Sequence, residues 1–153
     1  MSILSKYLSS YPVDIESMAN DFKIEVKVLD IGANLRGSIQ KKEDGNYIIE
    51  LNSQDTELER RFTLAHEIAH YIYHREKIGN TKLTDNRMYR SFNSNITDRD
   101  EHEANEVAML LLLPPDLVED FLNDHATCSV EEKRQKVSEA FQIPQVFTKL
   151  IID

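Results

Sequence analysis

Thr56-Glu57-Leu58-Glu59-Arg60-Arg61-Phe62-Thr63-Leu64-Ala65-His66-Glu67-Ile68-Ala69-His70-Tyr71-Ile72-Tyr73 is the stretch on which the reading of this chain turns. Thr56 with Glu59 fits a capping box, so a helix is expected from there to about Arg75. Leu58, Phe62, Ala65, Ala69 and Tyr73 make one apolar face, and Leu64, Ile68 and Ile72 make another. A helix that is apolar on two faces belongs in the core. Any polar side chain at its centre then needs a partner.

The centre is His66-Glu67-Ile68-Ala69-His70. The two histidines are four residues apart, so their rings stand on one helix face about a turn apart. Imidazoles at that separation can both reach a single zinc ion, at about 2.0–2.1 Å. Glu67 is turned about 100° round the helix, beside such an ion and able to take a proton from its water. The competing reading is a solvated helix face, which the flanking Leu64, Ala65, Ile68, Ala69 and Ile72 argue against.

A catalytic zinc wants three protein ligands and an open position. Cys128 is the sole cysteine and lies far from the motif, so the third ligand is sought on a second helix, expected from about Asp98 to Leu113. Its core stripe should hold Ala104, Ala108, Leu111 and Leu112. One turn back on that stripe is Glu101, the candidate third ligand. Asn105 should accept a hydrogen bond from a ligand imidazole. The competing reading makes Glu101 a cap, because Asp98-x-x-Glu101 resembles a capping box, and Glu103 is the other ligand candidate. Glu103 and Glu106 otherwise face solvent. His74 is a further turn on, too far along an unbroken helix to share the ion, and reads as structural or as part of the rim. His102, Tyr71 and Tyr89 are candidates for the rim or for stabilising an oxyanion.

Around these helices the sequence predicts an α+β fold. Two short helices are expected over 2–10 and 12–21. Lys23–Val28 alternates as a strand, Leu35–Lys41 is a second, and Tyr47–Leu51 a third after the Asp44-Gly45 turn. They are expected to form a small antiparallel three-stranded sheet on a zincin-like helical core. Residues 78–96 lack periodicity and read as a loop that gates access. Short helices are expected over 115–123, 130–141 and 144–151. The 153 residues suit one domain, 1–153, with N-terminal helices and sheet over 1–54, zinc-site helices over 55–114 and C-terminal helices over 115–153.

Composition narrows the partners. A net charge of −9 repels phosphate backbones and anionic lipid, so no direct nucleic acid and no membrane is expected, while a basic protein is easily accommodated. The mixed-charge segment Glu131–Lys136 reads as a solvated helix rather than a nucleic-acid patch. The longest apolar run, Val107–Leu113, is too short to cross a bilayer, and the N-terminus has no signal-peptide core. With one cysteine, the expected location is the cytoplasm. The oligomeric state is not legible.

Arg61-Phe62-Thr63-Leu64-Ala65-His66-Glu67-Ile68-Ala69-His70-Tyr71, then Glu101-x-Glu103-Ala104-Asn105-x-Val107-Ala108 and Leu111-Leu112-Leu113-Pro114, resembles the ImmA/IrrE family of zinc metallopeptidases. The resemblance covers roughly 14–150 and is tightest over 47–114. Val107 stands where the family usually carries Phe, and Ala140–Pro144 fits the family's C-terminal segment only in part. The resemblance implies that His66, His70 and Glu101 hold one Zn2+ per chain and that Glu67 is the general base. It also implies a bacterial or mobile-element peptidase that cleaves a helix-turn-helix repressor, here as a minimal catalytic domain. An extended substrate is expected to pair with an edge strand near residues 35–51. The alternative function is a non-catalytic, zinc-containing module that sequesters a basic regulatory partner.

Overall fold

The computed structural model describes residues 3–79, 83–86 and 96–153. Helices α1 (Ile3–Tyr7) and α2 (Ile15–Asp21) lead into strands β1 (Ile24–Leu29), β2 (Leu35–Lys41) and β3 (Tyr47–Asn52). Helix α3 (Glu57–Tyr73) follows, then β4 (Leu83–Asn86) and α4 (Asp98–Leu112). Helices α5 (Pro115–Asp124), α6 (Val130–Phe141) and α7 (Gln145–Thr148) complete an α+β fold. None of the described helices is long and apolar enough to cross a membrane.

The sheet differs from the antiparallel triplet expected. It is mixed, in the order β1-β3-β2-β4. The β2–β3 hairpin is antiparallel, with Gly45 in the left-handed region (φ +88°) at the Asp44-Gly45 turn. β1, however, lies parallel to β3, with Ile24 opposite Tyr47 and Leu29 opposite Asn52. Alternation identifies a strand but says nothing of its neighbour. The connection is pinned by the buried Asn52, whose Nδ2 donates to Gly32 O and Leu35 O, both at 2.6 Å. Part of the segment read as a loop is strand β4, antiparallel to β2. Residues 35–51 therefore hold the two interior strands, and among the described residues the sheet's edges are β1 and β4. Residues 80–82 and 87–95, with Tyr89 among them, lie outside the described residues.

Two boundaries also move. α2 starts at Ile15 because Asp14 caps it, accepting from Ser17 N at 3.1 Å; Pro12 stands outside the helix. α3 ends at Tyr73, with His74 as its C-cap.

α3 is the central element. Every residue from Phe62 to His70 is buried. One flank packs on the sheet, where β2 comes so close at Gly37 that a Cβ there would stand 2.7 Å from Thr63 Cγ2. Another flank packs on α4 through Ala104, Ala108 and Leu112. Arg61 ties segments far apart in sequence to this helix: its Nε donates to Gln142 O at 2.9 Å and its Nη2 to Val13 O.

Candidate metal centre

Both helices that carry the candidate residues are capped as their sequences allow. Thr56 Oγ1 accepts from Glu59 N at 3.2 Å, and Glu59 Oε1 accepts from Thr56 N at 3.0 Å. α4 uses Thr97 and Asp100 instead of the Asp98–Glu101 pair weighed above. Asp100 N donates to Thr97 Oγ1 at 3.1 Å, and Thr97 N donates to Asp100 Oδ2 at 3.0 Å. The cap is thus one residue earlier than the alternative reading had it, and Glu101 is not part of it. Alanines at 104 and 108 let α4 approach α3, and Glu101, one turn before Ala104, reaches across.

There it meets both histidines. Glu101 Oε2 lies 3.2 Å from His66 Nε2, and Oε1 lies 3.0 Å from His70 Nε2. The two Nε2 atoms are 3.1 Å apart. Both imidazoles are buried, and the Glu101 side chain keeps 23% of its exposure. Among the described residues, these form the one set of three His, Cys, Asp or Glu side chains placed to hold a metal ion.

The surrounding hydrogen bonds decide where the ring protons sit. His66 Nδ1 donates to Asn105 Oδ1 at 2.8 Å, which leaves a lone pair on its Nε2. His74 Nε2 faces Glu103 Oε1 at 2.9 Å and Asp100 Oδ1 at 3.4 Å, both carboxylates, so it carries a proton. Its Nδ1 then accepts from His70 Nδ1 at 3.0 Å, and His70 too turns a lone pair inward. Burial is the main influence on His70 and pushes its pKa below 6.5, against the opposing Glu101, so the neutral ring is favoured. Burial acts to raise the Glu101 carboxyl, but a proton on the neighbouring His66 or His70 Nε2 outweighs it and holds the group well below the usual carboxylate range; that proton takes the place a cation would take. Three acceptors thus converge, two of them buried and the third partly open to solvent, an arrangement that a cation satisfies. Ligands at about 2.1 Å on a tetrahedron stand about 3.4 Å apart, close to the spacings observed. The donor set, two neutral imidazoles and a carboxylate, suits zinc.

The other candidates are distributed differently. Glu67 is buried, one turn beyond Thr63 on the flank that faces β2. Tyr71 is built into packing: its ring lies 5.0 Å from those of Phe22 and Tyr47, and the Arg75 guanidinium covers it. His102 faces solvent, 76% exposed, and pairs with Glu106 at 3.0 Å. Neither is brought to the three-residue cluster. His74 is more than rim, being buried and bonded to His70, and Glu103 is turned to it rather than only to solvent. Asp100 joins them and is held well below the usual carboxylate range, first by the Lys77 ammonium and then by Thr97 N. The reading from sequence missed this second set of partners. The i, i+4 repeat His66–His70–His74 was its only visible signal.

The family described as IrrE N-terminal-like domain (Peptidase_M78) matches residues 19–149, a span that includes both helices of the centre. No curated protein matches the chain.

Proposed function

The chain belongs to the Peptidase_M78 family, and from that membership and its buried His66–His70–Glu101 cluster we propose that it is a zinc-dependent endopeptidase. The observation that carries this reading is the convergence of two imidazole nitrogens and one carboxylate, with Glu67 buried on the same helix. His66 Nε2, His70 Nε2 and the Glu101 carboxylate would hold the ion. When bound, such an ion supplies Lewis acidity, polarising the scissile carbonyl and making water more acidic. Glu67 takes the proton of the attacking water and later returns it to the leaving amine. Asn105 keeps His66 in the required tautomer, and His74 does the same for His70. An extended substrate segment would add to a sheet edge, β1 or β4.

The substrate we propose is a basic regulatory protein such as a helix-turn-helix repressor, in the bacterial cytoplasm. The −9 charge favours such a partner. The test is cleavage of a proteome-derived peptide library, read by mass spectrometry, with zinc content measured in parallel. Zinc-loaded protein should create new termini, and Glu67→Gln should lower the rate by about 10²–10⁴-fold while zinc stays bound. Undiminished cleavage by the variant overturns the reading.

A further inference from the structure

An apolar groove of about 850 Å³ runs between the outer flank of α4, α5 and the C-terminal turn. Met109, Leu110, Leu113, Val118, Leu122 and Leu150 form its floor. Leu110 is 52% exposed and Leu150 73%. α4 already packs a separate face, Ala104, Ala108, Leu111 and Leu112, against the core, so Leu110 is surplus to that packing. Contiguous exposed apolar surface of this kind marks a place of contact.

The rim has one sign. Glu106 and Glu119 are the charged residues lining the groove. Away from the groove, the rest of α5 exposes Asp116, Asp120 and Asp124 and contains no Lys or Arg, so the field around it is negative. An apolar floor with an acidic rim complements a helix whose apolar stripe is bordered by Lys or Arg. A second copy would bring acid against acid, and anionic lipid would be repelled. A small apolar ligand would find few convergent polar groups to orient it. The groove also leads somewhere. Glu106, Met109 and Leu150 are shared with an adjoining cavity lined by Asn105, the partner of His66, and by Arg36 and His102, so the acidic rim belongs to the groove and not to the cavity it leads into.

We propose that this groove docks a substrate protein through an amphipathic helix flanked by lysines or arginines, along the shoulder of the metal centre. The docking stands on the groove; that the docked protein is a substrate rests on the peptidase reading above.

The probe is a labelled helical peptide of roughly 18 residues, leucine on one face and lysine on the other, beside a twin with glutamate for lysine. Anisotropy is followed at about 0.15 M salt. The lysine peptide should bind and the glutamate peptide should not. Leu110→Ser with Leu150→Ser, and separately Glu106→Lys with Glu119→Lys, should each weaken binding at least about tenfold. Glu43→Lys with Glu57→Lys, outside the groove, should change it less than about twofold. Circular dichroism and melting of each variant check the fold. Unchanged affinity in the groove variants, or equal binding of both peptides, overturns the proposal. So does a dimer in sedimentation that Leu110→Ser with Leu150→Ser dissolves. Glu67→Gln protein should bind the lysine peptide like the parent, which separates a failure of docking from a failure of the peptidase reading.

Discussion

Asn105 and His74 perform matching tasks on opposite sides of the cluster. Asn105 Oδ1 accepts the proton of His66 Nδ1, and His74 Nδ1 accepts that of His70. Each thereby keeps an Nε2 lone pair turned toward Glu101. Asn105→Ala should lower zinc affinity by about 10–100-fold in competition with a chelator, and Asn105→Asp should recover most of it, because the acceptor returns. An unchanged affinity would show that His66 needs no outside partner. Protons compete for the same lone pairs. His70 is held neutral by burial, below its ordinary 6.5, so folding favours the unprotonated ring. Its contribution to stability is present above pH 6.5 and is lost as pH falls from there toward its lower folded value. Melting of the metal-free protein should therefore drop on acidification through that window. A second drop should follow below about pH 4, when Asp14, Glu59 and Asp100, all held below their ordinary values, take up protons. A flat profile between pH 7 and 5 would contradict the assigned state of His70.

Among the elements, α3 is clamped between β2 and α4, and each contact uses a small residue. Ala104 and Ala108 admit α3 on one flank. On the other, Gly37 lets β2 pass, since a Cβ there would stand 2.7 Å from Thr63 Cγ2 and 2.8 Å from Glu50 O. The second of these atoms is backbone and cannot rotate away. Gly37→Ala should cost about 1–3 kcal/mol of stability, read by denaturant melts. Adding Thr63→Ala should restore only the part due to the side chain. The strain would be felt next to Glu67, so the single variant should lose activity at temperatures where it is still folded. α4 depends on its own start, because the Thr97–Asp100 box orders the turn that presents Glu101.

Taken as one molecule, the chain closes around α3 through contacts far apart in sequence. Arg61 joins residue 13 to residue 142, so two segments far apart in sequence meet on one helix. Zinc should add to this stability by mass action. At about a hundredfold excess over its dissociation constant it contributes about 2.7 kcal/mol, or a rise in melting temperature of about 5–11 °C. The rise should vanish in a His66→Ala protein. An equal rise in that variant would place the ion elsewhere.

The local features of this protein were legible in its residues. His66 and His70 share a helix face because four residues make about one turn, and Phe62–His70 is buried because the helix is apolar on two faces. The small-residue stripe of α4 pointed Glu101 toward α3 for the same reason of period. Pairings between distant segments were not legible. That β1 joins β3 in parallel, that residues 83–86 add a fourth strand, and that Tyr71 is absorbed by Phe22 and Tyr47 all depend on which surfaces meet. The same holds for the bonds from His74 to Glu103 and Asp100. Periodicity within a segment states which of its faces is buried; the partner is chosen by packing and hydrogen bonding summed over the folded chain, and no single stretch carries that sum.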